Sequence, residues 1–454
     1  MSDLQDHSEN ILAKTNQSDL MKNMECHFNW QLDCSQATLE NLHQDLQDRL
    51  KIGCTWMCQL KNLLGYVLHS LGSTDKALIC LREAEEMIKE QKRDEEKDCL
   101  LLVNQANLAW VHYLKGEPAE RQAYLEEVTR LQEALPAPPG CQIHPELSAQ
   151  KGWSLLKFER SHKKAAIECF EMALIGNPQK RLFHKGLALA MEKGYERSEV
   201  TPELQGQIIE KLSVAKQRNK KDICVAALYM INLLHKDRSG KESKWEEAKN
   251  LAEKLTASKC LDGLNNVLYL LMFHFKEYDK AVDVAERMLK KFPNSTRAKK
   301  NLATSLRWKF NAFWEAKIAL GKKAIALYED VNTPHSVKTN MNLAELYKNV
   351  GNMDAANHIY QSLIGKEEHL NDEEKQILYT RYGHCLYKSN RISESMDMYK
   401  KAVQIPKASD NRDLCIKNLV SNVRKGQDAG DDEAFLVNLL CVDCQHNGTI
   451  FLKN

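Results

Sequence analysis

The sequence predicts an all-α protein, an α-solenoid of helix–turn–helix repeats, on three observations. A ladder of large and small residues, Leu64, Gly65, Leu68, Gly72, Ala77, Leu81 and Ala84, recurs as Leu343, Tyr347, Gly351, Ala356, Tyr360 and Leu363. The order small, aromatic, small, proline closes one unit at Ala166, Phe170, Ala173 and Pro178, and a shorter form of it closes another at Tyr399, Ala402 and Pro406. Six or more such units can be phased, above the roughly three that stacking needs for stability, and almost no strand is expected.

Taken in order, the first unit spans Leu64 to Ala84, and the second runs through Leu108, Ala109, His112, Gly116, Leu125 and Val128. This is the tetratricopeptide pattern: two antiparallel helices cross through small residues and each pair stacks on the next. The run Leu135-Pro136-Ala137-Pro138-Pro139-Gly140 removes amide donors and fixes φ, so no helix passes through it. A third unit ends at Pro178, and a degenerate one surrounds Trp245, Ala248 and Ala252 after a surface turn at Lys236 to Ser243. A further unit ends at Ala281 with Pro293. A long helical pattern from Lys299 to Asp330 then leads to a break at Val331-Asn332-Thr333-Pro334-His335. With 454 residues the chain exceeds the size at which a single core stops growing, and these breaks divide it into residues 1–140, 141–334 and 335–454. At the C-terminus a short apolar helix, Ala434 to Val442, is followed by a stretch that does not extend the repeat.

The formal net charge is only +2, so a polyanion must be met by a segregated patch and not by bulk basicity. Met1 to Asn10 has neither the basic flank nor the apolar core of a secretory signal, and the longest apolar run, Val225 to Leu234, is half a bilayer span; a cytosolic protein without membrane contact is expected. The cysteines, among them Cys26, Cys54, Cys58, Cys80, Cys169 and Cys385, are scattered through helical patterns and read as reduced packing residues. Cys441, Cys444 and His446 lack a second ligand pair at zinc-finger spacing. Phosphate-loop, dinucleotide, zinc-protease and nucleophile-elbow motifs are missing, so no enzyme is expected.

Four segments carry a more specific signal: Cys26-His27-Phe28-Asn29-Trp30, Asn62 to Tyr66, Asn107 to Tyr113, and Pro145 to Lys157 with its Lys151-Gly152-Trp153 core. In order and spacing they resemble the interferon-induced proteins with tetratricopeptide repeats. That resemblance implies a superhelix with a basic inner groove, which holds the 5′ end of foreign single-stranded RNA, triphosphorylated or incompletely capped, and blocks its translation. It implies phosphate contacts from Lys151 and Lys193, with Glu40 beside the triphosphate and a magnesium ion, the one cofactor to consider. Where the family has a tyrosine and two arginines, this chain reads Met272 to Lys276, leaving His274 and Lys276. The partners implied are RNA 5′ ends, the translation initiation machinery and other family members as homo- or hetero-oligomers; DNA is not among them.

Charge distribution agrees with a groove. Arg287 to Lys309 holds eight basic residues and no acidic one, whereas Glu83 to Glu96 is rich in carboxylates. Lys299, Lys300, Asn301 and Arg307 are the candidates for the RNA backbone, and Trp308, between Arg307 and Lys309, is the candidate to stack a base ahead of Phe310, Phe313 and Trp314. Two alternatives stand beside this reading: an adaptor solenoid that grips a peptide, and a relative that has lost RNA binding and works through hetero-oligomers. Lys61 is followed four residues on by Gly65, where a peptide-carboxylate groove would carry asparagine, which disfavours a co-chaperone.

Overall fold

The computed structural model describes residues 21–52, 56–92, 94–195, 199–237, 241–258, 261–313, 318–331, 336–406, 409–425 and 433–439. Cys54, Trp314, the break at 332–335, the tail cysteines with His446, and Met1 to Asn10 lie outside them. The described residues form helices and turns with no strand, as the repeat pattern requires. The chain divides into two compact units, 1–301 and 302–454.

The described part of the first unit begins with two helical residues, Met21 and Lys22, and a stretch of turns, and continues with α1 (Gln36–Ile52), α2 (Met57–Ser70), α3 (Thr74–Lys89), α4 (Glu95–Lys115) and α5 (Pro118–Ala134). Residues 135–144, the proline run included, carry no helix. Next come α6 (Pro145–Leu155), α7 (Arg160–Gly176), α8 (Arg181–Gly194), α9 (Pro202–Arg218), α10 (Ile223–Lys236) and α11 (Lys241–Ala257). Of the turn expected over Lys236 to Ser243, Lys236 ends α10, Lys241 to Ser243 already belong to α11, and residues 238–240 lie outside the described residues. A short α12 (Leu264–Tyr269) runs into a π-turn, Leu270–His274, before α13 (Tyr278–Lys291) and α14 (Thr296–Ala312). The division between units falls inside α14.

Within the pattern from Lys299 to Asp330 lie α14 and α15 (Ile318–Val331), with residues 314–317 outside the described residues. The second unit continues with α16 (Val337–Asn349), α17 (Met353–Ile364), α18 (Asp372–Lys388), α19 (Ile392–Gln404) and α20 (Asp410–Arg424); residues 433–439 are helical as well.

What holds each repeat together is the fit of one large residue into the gap left by a glycine. A Cβ on Gly65 would meet Leu81 at 2.5 Å, and one on Gly383 would meet Tyr399 at 2.6 Å. Phe170 serves two crossings: Cβ atoms on Gly152 and Gly186 would approach its ring to 2.9 and 2.2 Å. Close crossing of the helices buries both apolar faces and excludes water, the dominant favourable term in folding. The described cysteines are free thiols, and those at 26, 58, 80, 99, 385 and 415 are buried among these contacts.

Polar residues tie the first unit internally. Asn104 Nδ2 donates to Asn62 Oδ1 (2.7 Å) and to the Leu81 carbonyl (2.9 Å), all of it buried. The His27 amide donates to Asn107 Oδ1 (3.1 Å), Asn107 Nδ2 donates to His27 Nδ1 (3.0 Å), and His27 Nε2 is 3.1 Å from Ser154 Oγ. Burial pushes the imidazole down to about 3, with the Asn107 bond opposing it, so the ring is neutral and Nε2 carries the proton that Ser154 accepts. Residues from three of the four segments singled out in the sequence thus meet at one buried node.

Candidate functional site

One side of α6 supplies Gln150, Trp153 and Ser154, and Lys157 follows in the turn after it; together they form one wall of a cavity of about 260 Å³ inside the first unit. Lys157 sits beyond the C-terminus of α6, where the negative end of the helix dipole favours a cation. A second wall is a stripe on α8, Lys185, Leu189 and Lys193, each one helical turn after the last. Arg49 of α1, Arg297 of α14 and the Asp262–Asn266 stretch close the space, with Trp30 and Trp56 at its aromatic edge.

The wall carries five cations, Arg49, Lys157, Lys185, Lys193 and Arg297, against one carboxylate, Asp262. Three of them are engaged. Arg49 bonds Asp45 at 2.7 Å and reaches Asp262 at 3.4 Å, Arg297 lies 3.3 Å from Asp262, and Lys185 pairs with Asp222 at 2.7 Å. Burial works to raise the Asp262 carboxyl, and Arg297 and Arg49 outweigh it, holding it below the usual carboxylate range. Lys157 and Lys193 are in no ion pair among the described residues. Burial pushes the Lys157 ammonium down to about 8, reinforced by Arg49 and Lys193 and partly opposed by Asp45. Gln150 adds a buried amide nitrogen without a hydrogen-bond partner. Donors and positive charge are therefore in surplus here, the condition for holding an anion.

Two features fix the geometry. Asp48, at 4% exposure, accepts from the Thr296 amide (2.9 Å), the Arg297 amide (3.1 Å) and Ser295 Oγ (3.0 Å). It caps α14 from α1 and so sets where Arg297 stands. Gly263 has φ +90°, and a Cβ there would lie 3.0 Å from the Cys224 amide; the turn that presents Asp262 depends on glycine. The Trp56 and Trp153 rings face one another at 5.8 Å, tilted by 44°, and Trp153 is backed edge-on by Phe170 at 5.1 Å.

Of the residues expected from sequence, Lys193 is on this cavity. Lys151 is on the other side of α6, where it lines a separate pocket of about 400 Å³ with Gln31, His162 and Glu168. Glu40 lies earlier on α1, accepts from Gln36 Nε2 at 3.1 Å and is not on the cavity wall. The implied magnesium would need Glu40 beside the phosphates, and the wall's own carboxylate is taken by two arginines, so these residues do not fit that ion. His274 ends the π-turn with its ring 4.9 Å from His235, and Lys276 is exposed at φ +60°; neither lines the cavity. Lys299, Lys300 and Asn301 follow Arg297 on α14, Asn301 Nδ2 bonding the Arg297 carbonyl at 2.9 Å. Burial lowers the Lys300 ammonium, opposed by Asp45 and Asp48. Arg307 and Trp308 belong to the second unit, where Arg307 is buried, pairs with Glu345 at 2.9 Å and lies over the Trp308 ring at 4.9 Å.

Lys157, Arg49, Trp153 and Arg297 line the cavity, although in the sequence Trp153 and Lys157 stand out only as part of the Pro145 to Lys157 segment and Arg297 only as part of the basic run. A signal existed for the first: Trp153 and Lys157 are four apart, so on a helix they share the face that Lys151 does not.

Residues 59–91 and 377–408 match the tetratricopeptide repeat family. Over longer spans the chain is similar to the human interferon-induced protein with tetratricopeptide repeats 2, 26% identical over 92% of this chain and 90% of that protein. It is equally similar to the antiviral innate immune response effector IFIT1 of Macaca fascicularis, at 26% over 90% and 87%. Among solved structures, the human IFIT1 dimer with PPP-AAAA superposes with a TM-score of 0.73 at 22% identity, covering 95% of this chain and 96% of that one. A monomeric IFIT1 mutant with Gppp-AAAA gives 0.75.

Proposed function

We propose that this chain, whose relatives over most of its length are interferon-induced proteins with tetratricopeptide repeats, is an antiviral effector that binds the 5′ end of foreign single-stranded RNA. The observation that carries the reading is the cavity of the first unit, where two lysines without ion pairs among the described residues stand beside three tryptophans. Phosphate groups at the RNA end would meet Lys157 and Lys193, and the bases that follow would stack on Trp153 or Trp56, each such contact contributing roughly 1–3 kcal/mol. Structures of the related IFIT1 with PPP-AAAA and Gppp-AAAA support the ligand class. The activity is binding alone: an RNA whose end is held is withheld from translation initiation, in the cytosol where that machinery works.

The test is binding of the full chain to matched RNAs bearing 5′-triphosphate, cap or 5′-hydroxyl, at two salt concentrations. Lys157→Glu and Lys193→Glu should each weaken triphosphate RNA by roughly tenfold or more, while Lys151→Glu, off the cavity, changes it little. Equal, weak binding to every RNA by every variant would dismiss the reading.

A further inference from the structure

Among the described residues of the second unit is a buried cation without an ion pair. Lys348 on α16 is 8% exposed and makes no hydrogen bond or ion pair among the described residues. The carboxylate one turn earlier, Glu345, is already taken: Arg307 of α14 bonds it at 2.9 Å and Arg381 of α18 lies 3.7 Å away. Lys388, one repeat on, adds to the positive field at Lys348 and has no ion pair among the described residues. Four cations therefore share one carboxylate on three neighbouring first helices. A buried, unpaired charge costs free energy that an anion would relieve.

We infer that this face of the second unit is a docking surface for an acidic peptide, whose side-chain carboxylates are gripped around Lys348. Carboxamides accompany the cations. Asn349 Nδ2 donates to Asn311 Oδ1 at 3.1 Å, each asparagine four residues after a member of the Arg307–Glu345 pair, and Arg381 donates to Asn342 Oδ1 at 3.0 Å. Amides of this kind can hydrogen-bond both the donors and the acceptors of a peptide backbone. Single-stranded RNA, by contrast, needs open aromatic faces beside the cations. Here the rings of Tyr360, Tyr382 and Tyr399 are buried, Trp308 lies under the Arg307 guanidinium, and Tyr387, the exposed ring beside Lys388, is covered by the Lys425 ammonium at 5.8 Å, whereas the cavity of the first unit is lined by tryptophans. The inference does not depend on RNA binding by the first unit.

Fluorescence anisotropy of the full chain with a labelled peptide of alternating glutamate and glycine, and with its glutamine counterpart, tests it. The glutamate peptide should bind and the glutamine peptide should not. Lys348→Met should weaken binding by more than roughly tenfold while raising the melting temperature, because it removes a buried charge; that combination separates loss of the site from loss of the fold. Lys388→Gln, an exposed change, should weaken binding less. Absence of peptide binding, or unchanged binding by Lys348→Met, overturns the inference. So does a 5′-hydroxyl RNA that displaces the peptide and is itself weakened by Lys348→Met, which would make this face nucleic-acid surface.

Discussion

Lys157 shows how one side chain couples stability to ligand. Its ordinary value of 10.5 falls to about 8 in the folded chain. Between those two values the unfolded chain holds a proton that the native one has released, so stability rises with pH across that window; below about 8 both states are protonated and the full cost of the buried charge remains. Lys157→Met should therefore stabilise the protein at pH 7, on the order of 1–3 kcal/mol by thermal melts, while weakening phosphate-bearing RNA. A phosphate ligand needs the charged form, so affinity should be flat below pH 8 and fall as pH rises above it. Calorimetry in buffers of different ionisation heat would reveal proton uptake on binding near pH 8, and a flat profile would place the phosphate elsewhere. Tyr360 makes a second case: it is fully buried, stacked on Tyr382 at 5.3 Å, with a hydroxyl that has no partner among the described residues. Burial drives its phenol far above the ordinary value, with Glu345 adding to the effect. Tyr360→Phe should leave stability unchanged or raise it by up to about 1 kcal/mol, since the hydroxyl now pays desolvation without a bond in return.

Among the elements, the α6–α7–α8 layer depends on Phe170 seated against two glycines. Gly186→Ala places a methyl 2.2 Å from the ring, and the α7–α8 crossing must open to accept it. We expect a loss of about 1–3 kcal/mol by chemical denaturation, and weaker RNA binding because Lys185 and Lys193 travel with α8. The crossings themselves were legible in the sequence, as Ala166, Phe170 and Ala173 at repeat spacing fix the face that α7 buries. The direction of Lys151 was less so. Its neighbours Gly152 and Trp153 mark a helix, but which side of that helix turns to the cavity depends on where α1 and α8 lie, and nothing local records that. Arg49 and Arg297 were hidden for the same reason: their place comes from Asp48 and Asp262, residues far from one or both of them in the chain.

At the scale of the molecule, the two compact units should report ligands separately. A saturating RNA stabilises whatever folds around it by an amount that grows with the logarithm of concentration, roughly 2.7 kcal/mol at a hundred times the dissociation constant. Melts followed by domain-resolved hydrogen exchange should show triphosphate RNA protecting α6, α8 and the start of α14, with α18 and α19 unchanged. Protection spread evenly over both units would mean that the RNA is not confined to the cavity of the first.

The cap that Asp48 places on α14 joins residues 247 positions apart. During synthesis, α1 leaves the ribosome long before Ser295 exists, and at ordinary elongation rates the wait is roughly 12–50 s. Repeats such as α2 with α3 can close as soon as they emerge, since their partners are adjacent in the chain. The cavity cannot, because two of its cations are set by a contact that only a nearly finished first unit can make. Nascent chains halted before residue 295 should therefore carry folded repeats but no binding site, so that competence for the ligand is acquired late and in a single step.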